Sequence, residues 1–164
     1  MSIVRRAERS DFTAIMDIER KPEFRSFIGV WPEAEHIQTF TSADAAYWVI
    51  ADDCGDIQGY CIVLGLCSEH KSVELKRIAV ASPGNGIGKQ LFRAVCETLF
   101  REHGAHRIWL DVFEQNVRAR HVYRSFGFRD DGLLREAIHQ NGRYYSLVLM
   151  SVLGHEFLPA QVAR

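Results

Sequence analysis

Hydrophobic spacing along the chain switches between a period of two and one of three to four, and each switch marks an element. Ile3 to Ala7 reads as a short strand. Ser10 or Asp11 then caps a helix on which Phe12, Ile15 and Met16 recur with helical spacing and Ile18 follows. Residues 21–31 break that pattern with Pro22, Gly29 and large apolar side chains in irregular positions. Pro32, Glu33 and Glu35 suit the first turn of a second helix, about 33–42, where anionic side chains meet the positive end of the helix. Tyr47–Ala51 is rich in strand formers, residues 52–56 form a turn, and 57–66 return as the second arm of a hairpin. A strand over 72–81 leads through a glycine-rich turn into a long helix, on which Leu91, Phe92, Val95, Leu99 and Phe100 keep helical spacing until near Gly104. Arg107–Phe113 is a mostly apolar strand, expected to be covered on both faces. Asn116 opens a short helix that Gly127 closes. Strands over 129–138 and 143–153 are joined by His139-Gln140-Asn141-Gly142, and Asn-Gly is a strong hairpin signal. The elements add up to one α/β domain with a hairpin-rich mixed sheet over residues 1–153, and a tail from 154 to 164.

Composition narrows the class. A chain of 164 residues, 47% hydrophobic and 25% charged, has the make-up of a folded globular protein. Its longest apolar run, Tyr60 to Cys67, falls far short of the roughly 20 residues that span a bilayer. The first residues carry no apolar stretch of a secretory signal, so the expectation is a cytoplasmic protein without a membrane partner. The cysteines, Cys54, Cys61, Cys67 and Cys96, contain no C-x-x-C pair and the histidines no H-E-x-x-H, so neither a disulfide framework nor a metal site is expected. A net charge of −1 argues against nucleic acid as a partner. The distribution adds a second point: residues 1–70 carry 6 basic and 12 acidic groups, residues 71–130 carry 11 basic and 6 acidic. Such a division suits a site that meets a polyanion on one side and a cation on the other.

The most informative stretch is strand, then PGNGIGK, then helix. Gly84, Gly86 and Gly88 stand at alternate positions, which frees the backbone to take φ > 0 and leaves its N–H groups unshielded. A helix start directly behind them adds unpaired donors and a positive macrodipole end, together a site for a phosphate or diphosphate. Two familiar loops do not fit. A P-loop ending at Gly88-Lys89 needs Gly at Pro83 and Ser or Thr at Gln90, and a dinucleotide fingerprint starting at Gly84 needs Gly at Lys89.

SVELKRIAVASPGNGIGKQLFRAV followed by WLDVFEQNVRARHVYRSFGF resembles the GNAT superfamily of acetyl-CoA-dependent N-acyltransferases. The family signature is a strand, a loop of the form Gln/Arg-x-x-Gly-x-Gly/Ala, and a helix. Gly86 and Gly88 match its two small positions, while Pro83 departs from it at the first. The resemblance covers about residues 1–153 and is densest over 73–128. It implies a mixed sheet of about seven strands with flanking helices, spreading after residues 73–81 to admit acetyl-CoA. It implies that Ile78, Ala79 and Val80 pair through their backbone with the pantetheine arm. The N–H groups of Gly84, Asn85, Gly86, Ile87, Gly88 and Lys89 would hold the pyrophosphate. Asn116 matches the Asn that contacts the cofactor arm, and Tyr123 matches the Tyr set beside the thioester sulfur. Arg118, Arg120 and Arg124 follow Asn116, and some of them are candidates for the adenosine phosphate, the alternative being a solvated helix face.

Acetylation by direct transfer needs a neutral amine, a polarised thioester carbonyl and a proton for the departing thiolate. By analogy the Val80 N–H faces the carbonyl oxygen. A phenol with a pKa near 10, close to that of a thiol, makes Tyr123 a proton donor. On spacing alone Tyr123 reads as core, like Phe126 and Phe128; its order after Asn116 and before Gly127-Phe128 reads as functional. Glu74 is the candidate general base, set by alternation on the face of Lys76, Ile78 and Val80, or else a surface partner of Lys76 or Arg77. Asp111 inside an apolar strand calls for a specific partner such as Arg107 or His121. Cysteines are not expected at the thioester, so no covalent acetyl-enzyme is expected. In the family that the chain resembles, the irregular segment between the first two helices covers the acceptor pocket, which makes Phe24, Phe27, Trp31 and Glu33 candidates to line it, or else these aromatics only cover the core. The acidic first third suits a small-molecule amine or a peptide or protein N-terminus. A homodimer is left open. The rival classes are a catalytically silent acyl-CoA sensor or scaffold of the same fold, and an ATP-binding protein.

Overall fold

A computed structural model describes residues 1–24 and 29–157 of the chain. Its strands are β1 (Ile3–Arg6), β2 (Ala45–Ala51), β3 (Ile57–Leu64), β4 (Ser72–Val80), β5 (Arg107–Phe113), β6 (Arg129–Gln140) and β7 (Arg143–Leu153). Its helices are α1 (Phe12–Glu19), α2 (Glu33–Phe40), α3 (Ile87–Arg101) and α4 (Val117–Ser125), with a 3-10 turn Arg9–Asp11 ahead of α1. The seven strands form one sheet in the order β1-β2-β3-β4-β5-β7-β6. Only the central pair β4 and β5 is parallel; the other pairs are antiparallel. Among the described residues no helix is long and apolar enough to cross a membrane.

Alternation along the strands sends side chains into two cores. On one face Ala46, Trp48, Cys61, Val63, Leu75, Ile108, Leu110 and Val148 meet Leu91, Phe92, Val95 and Leu99 of α3 and Phe126, the C-cap of α4, with Val122 of α4 at the margin. On the other, Tyr47, Val49, Tyr60, Ile62 and Ala79 meet Phe12, Ile15 and Ile18 of α1, with Ile37 and Phe40 of α2 at the margin. The expectation that β5 is covered on both faces holds for one face alone: Ile108, Leu110 and Val112 are buried, whereas Asp111 on the reverse is exposed. Asp111 therefore needs no buried partner. Arg107 instead donates to Ser72 Oγ (3.1 Å) and to Asp131 (2.8 Å).

Two irregularities shape the centre of the sheet. First, β4 carries a bulge. Ile62 lies opposite Arg77 and Val63 opposite Leu75, so Lys76 has no cross-strand partner. Val73 and Leu75 face α3, and after the extra residue the parity reverses, so that Arg77 and Ala79 face α1 and Ile78 faces α3. Glu74, opposite Leu64, consequently shares the α1 face and not the face of Ile78 and Val80, contrary to simple alternation. Second, the β4–β5 ladder consists of Ser72–Arg107, Val73–Ile108 and Glu74–Trp109, and stops there. Beyond Glu74 the two parallel strands part.

The short helix α4 is fixed at both ends. Asn116 Oδ1 accepts from Ala119 N (3.2 Å) as the N-cap. At the far end Gly127, with φ +95°, donates to Arg124 O (3.0 Å), and Phe128 N donates to Tyr123 O (3.2 Å). That is a Schellman closure, with the Tyr123 and Phe128 rings in contact at 6.0 Å as its apolar clasp.

Candidate active site

The notch between β4 and β5 is the centre of the site. Ala81 N donates to Gln58 O (2.7 Å) and Ala79 lies opposite Tyr60, so these residues of β4 are bound to β3. Successive residues of a strand turn their backbone groups to opposite edges, which points the N–H groups of Ile78 and Val80 toward the space that β5 has left. The notch runs on into the glycine turn. Gly84 has φ +94° and Gly86, the N-cap of α3, has φ +81°. Among the described residues the N–H groups of Gly84, Asn85, Gly86, Gly88 and Lys89 find no intramolecular acceptor. Ile87 departs from expectation: its N–H is taken by Asn85 Oδ1 (3.2 Å). Arg118 reaches the same turn, its Nη2 3.9 Å from where a Cβ on Gly84 would stand. Arg120 and Arg124 do not join it, because both pair with Asp130 (3.4 and 2.8 Å).

Tyr123 stands on the α3 face, partly buried, with its ring against Phe92 (5.2 Å between centroids) and Phe128. Burial first, and then the nearby Cys61, Cys96 and Asp111, push its hydroxyl well above the ordinary phenol value. The hydroxyl therefore keeps its proton across the physiological pH range. Glu74 lies where the ladder ends, 3.7 Å from Lys76 Nζ. Desolvation raises its pKa, Lys76 lowers it, and the charge of Asp111 raises it again, with a net upward shift.

The residues proposed from sequence to line an acceptor pocket fare unevenly. Phe24 and Trp31 pack at the edge of the α1-side core, and Glu33 is exposed at the start of α2. Phe27 lies outside the described residues. Beneath them is a cluster that sequence reasoning missed. Glu19 and His36 are fully buried, and Arg77 nearly so. Arg77 Nη1 donates to Glu19 Oε1, while Glu19 Oε2 pairs with His36 Nε2 (2.9 Å). His36 Nδ1 in turn meets Tyr47 OH (2.9 Å), and the Trp31 ring lies 4.7 Å from the Arg77 guanidinium carbon. Among the described residues the Tyr60 hydroxyl, buried close by, has no partner in hydrogen-bond geometry. One signal was available: Glu19 follows Met16 by three residues and so falls on the apolar stripe of α1, where an unpaired charge is costly.

Comparison with known proteins narrows the chemistry. The family model "Acetyltransferase (GNAT) family" matches residues 12–128. The chain belongs to the GNAT acetyltransferase family. Its similarity extends to the spermidine N(1)-acetyltransferase of Vibrio cholerae, 26% identical over 94% of both chains. The streptothricin acetyltransferase of Streptomyces lavendulae is 34% identical over 92 residues, covering 56% of this chain and 48% of that protein. A crystal structure of the V. cholerae spermidine N-acetyltransferase in complex with CoA and spermine shares the fold, with a TM-score of 0.85 at 24% identity over 94% of this chain and 96% of that one. The chain is thus an acyltransferase with the GNAT fold.

GNAT acetyltransferases use acetyl-CoA, and the residues here fit it. A CoA thioester brings a diphosphate and an amide-bearing arm, which need clustered N–H donors and an open strand edge, and both are present. Gly86 is the sharpest test. Nothing lies within 4 Å of a Cβ built on it, so Gly86→Ala meets no clash and suffers only from its φ of +81°. That strain amounts to about 1 kcal/mol, or roughly 2–4 °C in Tm for a chain of this size. The methyl group also shields the neighbouring donors, so the affinity for acetyl-CoA measured by calorimetry drops by about tenfold, the worth of one charge-assisted hydrogen bond. An unaltered affinity detaches the turn from diphosphate binding.

Cys61 is closer to the site than its place in the sequence indicated, since it lies opposite Ile78 and acts on Tyr123. Burial pushes its thiol far up, as it does that of Cys96, so neither supplies the thiolate that a covalent acetyl-enzyme requires. Direct transfer remains the expected route.

Proposed function

We propose that this GNAT enzyme acetylates a primary amine of a small polycation of the polyamine class, taking the acetyl group from acetyl-CoA in a ternary complex. The observation that carries the reading is the parting of β4 and β5 after Glu74 and Trp109, which opens the edge carrying the Ile78 and Val80 donors and runs on to the unpaired N–H groups of Gly84, Asn85, Gly86, Gly88 and Lys89. In this reading Ile78, Ala79 and Val80 run beside the pantetheine arm, and the Val80 N–H polarises the thioester carbonyl. The N–H groups of Gly84, Asn85, Gly86, Gly88 and Lys89, with Arg118, hold the diphosphate. Asn116 Nδ2 is left over from capping to meet the arm. Tyr123 donates toward the departing sulfur, and Glu74, directly or through water, receives the amine's proton. Phe24, Trp31 and Glu33 border the acceptor. Support for a polycation comes from the likeness to spermidine acetyltransferase over 94% of the chain, and from the acidic excess of residues 1–70. The reading includes a cytoplasmic location and allows a homodimer, which sedimentation of the purified chain decides.

The test is acetyl-CoA-dependent thiol release with spermidine, spermine, a monoamine of equal chain length, and a peptide with a free N-terminus. Turnover of the polyamines above the monoamine and the peptide is the expected result. Preference for the peptide overturns the acceptor assignment. Tight acetyl-CoA binding with no release on any amine makes the protein a sensor.

Glu74 adds a pH prediction. Its carboxylate works only when ionised, and its pKa lies above the usual glutamate value, so kcat/KM falls as the pH drops through that raised value. The acid limb therefore sits higher than an ordinary carboxylate would put it. Glu74→Gln lowers neutral-pH activity by about tenfold, short of the ~10² of an irreplaceable base because water stands in, and the limb disappears. A limb unchanged in the variant assigns it to another group.

A further inference from the structure

We infer that the buried pair Glu19–Arg77 is a positioning device that holds the bulge of β4 in place, and through it the backbone donors of Ile78 and Val80. The inference rests on the acyl-CoA reading of the notch. Val73 and Leu75 face the α3 core, so in a regular strand residue 77 would face that core too. There a guanidinium would be surrounded by Cys61, Val63, Leu110 and Phe92, with no acceptor.

The α1 face offers Arg77 what the α3 face lacks. Glu19 closes α1 with a fully buried carboxylate, one oxygen taken by His36 and the other by Arg77. Trp31 lies over the guanidinium at 4.7 Å. Side-chain chemistry thus demands that position 77 lie on the α1 face while positions 73 and 75 stay on the other. Only an extra residue between them reconciles the two demands, and Lys76, without a cross-strand partner, is that residue. Two residues before Lys76 the β4–β5 ladder ends, and two residues after it Ile78 carries the first N–H aimed into the notch. A buried ion pair is weak evidence for stability but a well-attested device for register, and here the register is that of the strand edge the cofactor meets.

The apolar double variant Glu19→Leu/Arg77→Met separates register from stability, because it removes both charges together and leaves neither unpaired. Acetyl-CoA affinity by calorimetry, Tm, and the amide resonances of Ile78 and Val80 are read on it and on the wild type. Arg77→Lys, which keeps a cation on the α1 face, is the conservative partner. The expected result is a folded double variant whose acetyl-CoA affinity is about tenfold weaker and whose two amide resonances have moved, with Arg77→Lys close to wild type in both. A double variant with wild-type affinity and unmoved resonances overturns the inference and leaves the pair a packing element. If the double variant does not fold, Arg77→Lys and Glu19→Gln decide: moved Ile78 and Val80 resonances in Glu19→Gln but not in Arg77→Lys support the role, and unmoved resonances in both overturn it. Should the wild type itself fail to bind acetyl-CoA, the functional reading falls, while the resonances still test the bulge.

Discussion

Tyr123→Phe lowers kcat by about 10²-fold, with the affinity for acetyl-CoA changed by no more than about twofold. The size follows from the state of the hydroxyl. Enclosure among Phe92, Phe128 and two buried thiols raises its pKa, so it is a poorer acid than a phenol in water. Complete proton transfer to a thiolate, whose conjugate acid has a pKa of about 8.5, is therefore uphill, and the benefit is a hydrogen bond that strengthens as charge builds on sulfur. Such a contribution lies at the low end of general acid catalysis. It exists only in the transition state, so kcat falls and binding does not. The hydroxyl is free for this task, since it has no intramolecular partner among the described residues, and losing it orphans nothing in the fold. Single-turnover measurement with saturating acetyl-CoA isolates the step, and an unchanged rate removes Tyr123 from the chemistry without disturbing the family assignment.

Much of this arrangement was legible in the chain because local chemistry decides it. Gly127 after Ser125-Phe126 reads as a helix terminator, and the Schellman closure it forms also fixes the Tyr123 carbonyl. Asn141-Gly142 reads as a hairpin, and β7 has the bounds that the pattern predicts. The glycine turn likewise declares its donors. What the pattern hides depends on partners distant in sequence. The bulge at Lys76 exists only as a register against β3, so alternation along ELKRIAV assigns Glu74 to the wrong face. The exposure of Asp111 reflects what does not cover β5, which no property of β5 records. The occupied N–H of Ile87 depends on one rotamer of Asn85. Arg77 shows the limit most clearly: three residues from Glu74 in sequence, it pairs with Glu19 at the end of α1. A strand residue and a helix residue meet there because each has a charge on an apolar face, and only the tertiary fold unites the two exceptions.

Phe92→Ala destabilises the protein by about 3–5 kcal/mol, the usual range for emptying a buried aromatic position. Phe92 is 1% exposed and is the common neighbour of Tyr123, Phe126 and Phe128, with ring centroids at 5.2, 4.9 and 5.5 Å. Against a net stability of about 5–15 kcal/mol this is a large fraction, and it lowers Tm by about 10 °C for a chain of this size. Phe92→Leu fills most of the space and costs much less, which distinguishes a cavity effect from loss of aromatic contact. The two variants also ask what holds Tyr123. Its backbone is fixed by the closure through Gly127 and Phe128, whereas its ring leans on Phe92. If the ring contact governs the hydroxyl's position, kcat per folded molecule falls in Phe92→Ala at a temperature where circular dichroism shows the native state fully populated. If kcat per folded molecule is preserved there, the helix cap alone sets the donor, and Phe92 belongs to stability and not to catalysis.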